Sequence, residues 1–313
     1  MEHIQSDQIG QTRPTAITLG NFDGLHLGHR KLIGRMQQEA KAQQLRSVVF
    51  SFFPHPMFLF HNRENLALIM SPEEKKRAIA AMGVDLYVEY PFTKTFAAMA
   101  PEDFACGLLF EQMKCRVLVV GENYHFGAKQ KGNAALLEKL GKEHGVKVIV
   151  IPPVMYGGER VSSTRVRKAL SDTNLDLAAA LLSRPYGIYG EVIHGKQLGR
   201  TIGFPTINVV ADPEKLFPPN GVYATKTLVA GRQYPGVTNV GVAPTVHGTK
   251  KIVETYLFDF HQSVYGSCVE TALYRFIRPE QKFPSVAALQ QQMQADAGED
   301  LFFKRFCGGG GLD

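Results

Sequence analysis

The stretch AITLGNFDGLHLGHRKLI, from Ala16 to Ile33, joins an apolar run to a helical pattern through a glycine-rich turn. Gly20, Gly24 and Gly28 allow the backbone to turn sharply and to approach a ligand closely. A helix that begins at such a turn offers free amide groups and a partial positive charge to a phosphate. Because ligands of open parallel sheets bind at the carboxyl ends of the strands, this stretch predicts a nucleotide triphosphate site.

The segments that follow repeat the same strand-to-helix pattern. Apolar runs occur at 16–20, 47–52, 84–90, 115–121 and 146–153, and helical patterns begin at His29, Ser71, Pro101 and Asn133. Ser71 and Glu74 have the spacing of a capping box, with Pro72 at the first helical position. Alternating strands and helices give a parallel sheet covered on both faces. We therefore expect an α/β, Rossmann-like domain over residues 1–184.

The pattern changes at Arg184 and Pro185, after two short helical pieces, TRVRKALSD and NLDLAAALLS. Beyond this point β-branched and aromatic runs recur at close spacing, separated by Gly, Pro and Asn. Such spacing without intervening helices favours an antiparallel barrel or sandwich. A single helical pattern follows at about 285–306. The second domain is expected over residues 185–313, as β-structure with a C-terminal helix.

The two histidines of the first turn, His26 and His29, are candidate catalytic residues. Imidazole N–H groups can donate hydrogen bonds to phosphate oxygens as charge builds on an α-phosphate and on departing pyrophosphate. Neither histidine needs to act as a nucleophile. The alternative interpretation is that the pair caps the helix or binds a metal ion.

The segment VSSTRVRKAL, from Val161 to Leu170, offers a second phosphate site. Its hydroxyls can cap a helix or bind phosphate, and its arginines can bind the triphosphate or stabilise the leaving group. The alternative is an ordinary helix cap followed by a solvated basic face. The candidate ATP-binding residues of the first domain are Gly20, Phe22, Gly24, His26, Gly28, His29, Ser162, Ser163, Thr164, Arg165 and Arg167, with Arg167 also a catalytic candidate.

The most specific stretch of the second half is GKQLGRTIGFPTINV, from Gly195 to Val209. Thr206 and Asn208 occupy alternate positions of a strand, so both side chains point to one face. Their oxygen atoms suit Mg²⁺, which bridges nucleotide phosphates. Because the stretch lacks the GK[ST] ending of a Walker loop, a P-loop fold is excluded.

Glu254, in IVETYLFDF, lies on a predicted strand among apolar residues. An isolated carboxylate in such a place is costly unless it has a partner or a task. We take Glu254 as a candidate general base, which accepts a hydroxyl proton as that oxygen attacks a γ-phosphate. The alternative is that it faces solvent on a half-buried strand.

Three segments of the first half, GNFDGLHLGH, GENYHFG at Gly121 to Gly127 and VSSTRVR, together resemble the adenylyltransferase half of the bacterial bifunctional riboflavin kinase/FAD synthetase family. The resemblance implies a nucleotidyltransferase domain. It would adenylate FMN with ATP and release pyrophosphate, by direct attack of the FMN phosphate on the α-phosphorus. Asn123 and Phe126 would then lie at the flavin.

The second half resembles the riboflavin kinase domain of the same family, in PTINV, GVTNVGVAPTV, VETYLFDF and RFIRPEQKF. This resemblance implies a six-stranded Greek-key barrel that phosphorylates riboflavin with ATP and Mg²⁺. Thr206 and Asn208 would belong to the magnesium-ATP site, and Glu254 would be the catalytic base beside the flavin. The loop over the nucleotide would contain Gly195, Lys196, Gly199 and Gly203, and Arg278 would lie near the flavin.

Three residues depart from the usual family pattern. Asn123 and His125 stand where the family usually has an acidic residue and an arginine, and Phe53 stands where it commonly has glutamate. Asparagine can hydrogen-bond a flavin or adenine edge but brings no charge to a magnesium ion. One alternative is therefore a riboflavin kinase with an impaired or altered adenylyltransferase domain. Another, of a different class, is a flavin- or RNA-binding regulator without turnover.

Composition limits the partners and the location. The net charge is +6 with a pI near 9.0, but the basic residues are scattered, which favours phosphorylated small molecules over nucleic acid. The partners expected are thus ATP, riboflavin and FMN. The N-terminus MEHIQSDQIG has no signal-peptide pattern, and no window is apolar enough to span a bilayer. We expect a cytoplasmic protein without a membrane partner, and homo-oligomerisation stays open.

Overall fold

The structure is a computed structural model that describes residues 1–60, 67–195, 203–245 and 248–299. The chain divides into two units, Met1–Ser163 and Thr164–Asp313. The domain boundary expected near residue 184 stays a prediction, since two helices before that residue are grouped with the second unit. No helix in the described ranges is long and apolar enough to cross a lipid bilayer.

The first unit is built on a parallel sheet. Its strands are β1 (Glu2–Ile4), β2 (Thr15–Leu19), β3 (Arg46–Phe53), β4 (Leu86–Pro91), β5 (Cys115–Gly121), β6 (His125–Phe126), β7 (Gly132–Asn133), β8 (Lys147–Ile151), β9 (Met155–Tyr156) and β10 (Glu159–Arg160). Six of them form one sheet in the order β1-β4-β3-β2-β5-β8, and every pair is parallel. The predicted α/β fold of this half is confirmed, with β2 central and fully buried.

Helices cover the sheet, and three of them lie at the patterns predicted from His29, Ser71 and Asn133, whereas two four-residue helices were not predicted. The helices are α1 (Leu27–Ala42), α2 (Met57–Phe60), α3 (Pro72–Ala81), α4 (Lys94–Ala97) and α5 (Ala134–His144). The capping box at the start of α3 is present, because the Ser71 hydroxyl accepts from Glu74 N and the Glu74 carboxylate accepts from Ser71 N. Asn133 is the N-cap of α5, and its side chain accepts from Leu136 N. Gly145, whose φ is +69°, is the C-cap.

Two local features differ from expectation. The helical pattern after Pro101 forms a π-helix, Asp103–Gln112, whose widened turns bury the broad apolar face Phe104, Ala105, Leu108, Leu109 and Phe110. The three-residue strand β1 pairs with β4 at the edge of the sheet, although its sequence EHI has no apolar run. Pairing with an existing strand therefore determines this edge strand, since its own sequence carries little β-propensity.

The second unit is a closed antiparallel barrel preceded by two helices. The elements are α6 (Ser163–Ser171), α7 (Leu175–Leu182), β11 (Tyr186–Ile193), β12 (Thr206–Ala211), β13 (Gly221–Val229), β14 (Arg232–Thr245), β15 (Gly248–Leu257) and β16 (Cys268–Arg278). The strand order β11-β12-β15-β14-β13-β16 places β12 beside β15, outside the β13-β14-β15 meander, which is a Greek-key arrangement. The predicted six-stranded Greek-key barrel is confirmed.

The barrel interior contains a row of buried threonines. Thr225, Thr227, Thr238, Thr255 and Thr271 are all fully buried. Their hydroxyls pair across strands, at 2.9 Å for Thr225 and Thr238, 2.8 Å for Thr238 and Thr255, and 3.0 Å for Thr227 and Thr271. Because the β-branched side chains suit strands and their hydroxyls bond one another, the polar groups are buried without being left unpaired.

One helix follows the barrel within the described residues, as expected. This helix, α8 (Val286–Glu299), is held to β16 by a two-pronged ion pair between Arg278 and Asp296. Arg278 Nε lies 3.0 Å from Asp296 Oδ1, and Arg278 Nη2 lies 2.7 Å from Asp296 Oδ2. Asp296 is only 4% exposed, so this pair anchors the helix. The end of the predicted helix, at 300–306, lies outside the described residues.

Candidate active sites

The glycine-rich turn of the first unit follows the carboxyl end of β2, at the centre of the sheet. Phe22 and Leu25 are fully buried and have φ values of +52° and +47°, and Gly24 has a φ of +90°. The turn is thus a tight, packed structure. The ring of His26 lies over Gly28, where a Cβ atom would come within 3.1 Å of His26 Cε1. This close approach explains the glycine at position 28.

His26 and His29 lie against each other at the start of α1. Their rings are stacked, with centroids 3.6 Å apart and an interplanar angle of 13°. His26 Nδ1 accepts a hydrogen bond from His29 N at 3.3 Å, so His26 is the N-cap of the helix. The capping role raised as an alternative is therefore present. Because Nδ1 acts as the acceptor, the proton of the neutral His26 ring lies on Nε2.

Both imidazoles are held in the neutral form. Desolvation lowers the pKa of His26 from 6.5 to about 4, and the nearby charge of Arg160 acts in the same direction. Desolvation holds the pKa of His29 well below its usual range, and the Coulombic interactions of its protonated form with His26 and Lys75 act in the same direction. A neutral imidazole donates one hydrogen bond. In addition, His29 Nδ1 is buried without a hydrogen-bond partner within the described part of the chain.

A buried cation that the sequence-based search missed acts on His29. Lys75, on α3, is 8% exposed, and its Nζ lies 3.2 Å from Glu89 Oε1 and 3.4 Å from Ser51 Oγ. Glu89 also accepts from Tyr87 Oη at 2.6 Å and lies 3.1 Å from His3 Nε2. The basic run at 75–77 was the available signal, but the sequence does not show that Lys75 is more buried than Lys76 and Arg77.

The VSST segment reaches the same turn through one hydroxyl. Ser163 Oγ donates to the carbonyl oxygen of Asp23 at 2.9 Å, so the end of the first unit is tied to the glycine-rich turn. Ser162 is half-buried beside it. Thr164, Arg165 and Arg167 lie on α6, which from Thr164 onwards is grouped with the second unit. Their proposed contacts with ATP stay predictions.

An aromatic cavity of about 1360 Å³ opens beside the turn. Gly20 and Asn21 form one edge of it, and Asn123 and Phe126 line it as well. The other walls are mainly apolar and aromatic, and include Phe52, Met57, Phe92, Phe96, Met99, Phe104 and Tyr124. Such a wall suits a flat, largely apolar ring system. Asn123 and Phe126, both predicted to bind the flavin, are thus brought together at this cavity.

Arg160 is a further residue that the sequence-based search missed. It lies on the β9-β10 hairpin, and the Asn123 carboxamide oxygen accepts from its Nη1 and Nη2 at 2.6 and 3.0 Å. The charge of Arg160 also lowers the pKa of His26. A guanidinium therefore contacts Asn123 in the cavity wall and is close enough to His26 to affect its pKa. His125, in contrast, is exposed, and its Nδ1 lies 3.0 Å from the backbone oxygen of Asn123.

The second candidate site lies on the outer face of the barrel. Asn208 on β12 pairs directly with Glu254 on β15, which in turn pairs with Asn239 on β14. The neighbouring Thr255 and Thr238 are buried in the barrel interior, so these three side chains share the outer face. Thr206 lies on the same face, two residues before Asn208. The predicted common face of Thr206 and Asn208 is thereby present.

Gly195 closes over this row of side chains. A Cβ atom at Gly195 would lie 2.2 Å from Asn208 Nδ2, so any other residue here would displace the Asn208 amide. Gly203 has a φ of +83°, which favours glycine. Lys196 and Gly199 of the predicted nucleotide loop lie outside the described residues. The amide, hydroxyl and carboxylate oxygens of Asn208, Thr206 and Glu254 are the ligand types that Mg²⁺ prefers, so the residues fit the expected ion.

Comparisons with known proteins match each half to a family. Residues 8–165 match the FAD synthetase family, and residues 182–300 match the riboflavin kinase family. The bifunctional riboflavin kinase/FMN adenylyltransferase of Escherichia coli K12 is 40% identical over 281 residues, which cover 90% of both chains. This chain belongs to the bifunctional riboflavin kinase/FMN adenylyltransferase family. The predicted resemblance and the predicted enzyme class are thus confirmed.

Further members of the family agree with this assignment. The enzyme of Haemophilus influenzae is 38% identical, with 90% of this chain and 91% of that one covered. The enzyme of Listeria monocytogenes is 34% identical, with 92% and 91% covered. The crystal structure of a macrolide-efflux protein from Streptococcus pneumoniae matches with a TM-score of 0.83 at 30% identity, over 95% of this chain and 97% of that one.

Proposed function

We propose a residue-level division of labour between the two units of this bifunctional enzyme. The second unit converts riboflavin and ATP to FMN and ADP, and the first unit converts FMN and ATP to FAD and pyrophosphate. The observation that supports this most directly is that each unit has its own row of polar groups at a place that can hold a nucleotide. These are the stacked histidines beside the aromatic cavity and the Asn208-Glu254 pair beneath Gly195.

In the second unit, Glu254 accepts the proton of the terminal ribityl hydroxyl as that oxygen attacks the γ-phosphorus of ATP. Asn208 and Thr206 hold the nucleotide phosphates together with a divalent ion, which we propose is Mg²⁺. The ion supplies charge neutralisation on the phosphate oxygens. Gly195 permits the backbone to approach Asn208 closely, which keeps the nucleotide side of the site narrow.

In the first unit, the aromatic cavity takes the isoalloxazine ring of FMN, and Asn123 and Phe126 line its wall. The FMN phosphate attacks the α-phosphorus of ATP, and pyrophosphate leaves with the electron pair of the broken bond. His26, His29 and Arg160 stabilise the charge that develops on these phosphates. Because the attacking oxygen belongs to the substrate, no protein nucleophile is needed.

Arg160 bears on the alternative of an impaired adenylyltransferase. That alternative rests on Asn123, His125 and Phe53, the departures from the usual family pattern. The guanidinium of Arg160, bonded to Asn123, supplies a positive charge beside the cavity although position 125 carries no arginine. We therefore propose that this unit is competent in adenylylation. The cytoplasmic location and any homo-oligomerisation stay predictions.

Two substitutions in the intact protein test the division of labour, and each uses the other reaction as its internal control. Glu254→Gln is expected to lower FMN formation from riboflavin by about 10²–10⁴-fold while FAD formation from FMN continues. His29→Asn is expected to lower FAD formation by about 10²–10³-fold while FMN formation continues. Chromatography of flavins after incubation with Mg-ATP measures both. Accumulation of FMN without FAD in the unmodified protein would contradict the proposed adenylylation.

A further inference from the structure

The amide of Asn239 has a fixed orientation. Its Nδ2 donates to Glu280 Oε1 at 3.3 Å, and Glu280 Oε2 accepts from Asn220 Nδ2 at 3.0 Å. Lys251 Nζ donates in turn to Asn220 Oδ1 at 2.8 Å. Because a carboxylate only accepts, the Asn239 nitrogen must face Glu280 and its oxygen must face away. Gly241 makes room for this contact, since a Cβ there would lie 2.2 Å from Glu280 Oε1.

The oxygen of this amide is buried without a donor. Asn239 Oδ1 has no hydrogen-bond partner in the part of the chain that the structure describes. The residue directly across the strand pair is Glu254, whose carboxylate oxygens also act as acceptors. Directly opposed side chains in an antiparallel pair have Cβ atoms about 4.5–5.5 Å apart. A buried acceptor beside a carboxylate needs a donor, and a ligand hydroxyl can provide one.

The order of residues across the strands assigns the two sides of the site. Asn208 and Asn239 flank Glu254 on opposite sides, because β15 lies between β12 and β14. Asn208 lies beneath Gly195, on the side proposed above for the nucleotide. Asn239 therefore lies on the side from which the acceptor hydroxyl reaches Glu254. The acceptor chain of riboflavin is a polyol, so further hydroxyls adjoin the reacting one.

We propose that Asn239 Oδ1 accepts a hydrogen bond from a second, non-reacting hydroxyl of the ribityl chain, and so determines the specificity of the kinase for a polyol. The proposal rests on the kinase function proposed for Glu254. Glu280 acts as a positioning residue, because it holds the amide with its oxygen towards the substrate. Asn220 and Lys251 hold Glu280 in turn.

The test combines a deletion in the protein with a deletion in the substrate. We would measure kcat/KM for FMN formation with riboflavin and with its 2′-, 3′- and 4′-deoxy analogues, in the unmodified enzyme and in Asn239→Ala. Loss of one neutral hydrogen bond corresponds to about tenfold in kcat/KM. With the unmodified enzyme, one analogue is expected to have a kcat/KM about tenfold below that of riboflavin. With Asn239→Ala, riboflavin and that analogue are expected to have nearly the same kcat/KM, because the hydrogen bond is already lost. If the effect of the substitution and the effect of the missing hydroxyl multiply for all three analogues, the proposal is overturned.

Control variants separate the possible failures. Asn220→Ala removes a hydrogen bond to the far side of Glu280 and is expected to affect riboflavin and all three analogues equally. If Asn239→Ala does not fold, Asn239→Leu keeps the side-chain shape and carries the same test. Full kinase activity in Glu254→Gln would refute the proposed role of Glu254 as the base. The comparison of analogues with Asn239→Ala could still be interpreted in that case. If Asn239→Ala still discriminates among the analogues as the unmodified enzyme does, the role proposed for Asn239 is refuted, but the kinase function is not.

Discussion

Acid should destabilise the first unit through the stacked histidines, and the size of the effect follows from the pKa of His26. Burial lowers this pKa from 6.5 to about 4. A group whose folded pKa is depressed binds protons more readily when unfolded, so folding is favoured above pH 6.5 and loses this contribution as the pH falls towards 4. Between pH 7.5 and pH 4.5 the loss for His26 is about 2.5 kcal/mol, a factor of about 75 in the unfolding equilibrium. His29 shifts in the same direction.

The variant His26→Asn isolates this effect. Asparagine is a good N-cap, so it can keep the acceptor for His29 N while the titrating imidazole is removed. Acid also weakens folding through Glu39 and Asp85, whose pKa values the fold lowers, but these carboxylates are present in both proteins. The difference in free energy of unfolding between the unmodified protein and the variant is therefore expected to change by about 2.5 kcal/mol over this pH range, because the unmodified protein loses more stability.

Hydrogen exchange read by mass spectrometry is the suitable assay, because it reports each unit of the intact protein separately. Peptides from β2 and β3 report the first unit, and peptides from β13 and β14 give an internal reference. Exchange rates are compared after correction for the chemical rate at each pH. If the first unit loses the same free energy of unfolding on acidification in both proteins, the assignment of buried neutral histidines is wrong.

Further substitutions test two buried ion pairs. Glu89→Gln leaves Lys75 buried without its carboxylate and is expected to destabilise the first unit by about 3–5 kcal/mol. The double variant Glu89→Gln with Lys75→Met is expected to recover part of this loss. A double-mutant cycle measured by hydrogen exchange tests the coupling, and additive losses in the free energy of unfolding would contradict it. Arg278→Met leaves Asp296 buried without its partner and is expected to release α8. Faster exchange in peptides of α8 measures the release, and unchanged exchange there would show that packing alone holds the helix.

Much of the fold was accessible from sequence because its signals are local. The runs that form β2, β3 and β5 are apolar and short, and the capping box at Ser71 predicts the start of α3. Hydrophobic period and capping act over a few residues, so they can be recognised without knowing the fold. The edge strand β1 was not predicted, and the helix predicted after Pro101 was not expected to have π geometry, since partners elsewhere in the sheet and core determine both features.

The sequence by itself determined the two domain types and located the motifs proposed to carry the phosphate chemistry, from His26 and His29 to Thr206 and Glu254. Only the tertiary structure decided which groups surround them. Arg160 meets Asn123 through a separate hairpin, and Asn239 meets Glu254 through strand register. Register and side-chain packing join residues far apart in the chain, and a one-residue shift would turn each side chain to the other face. For that reason the composition of the sites follows from the fold as a whole.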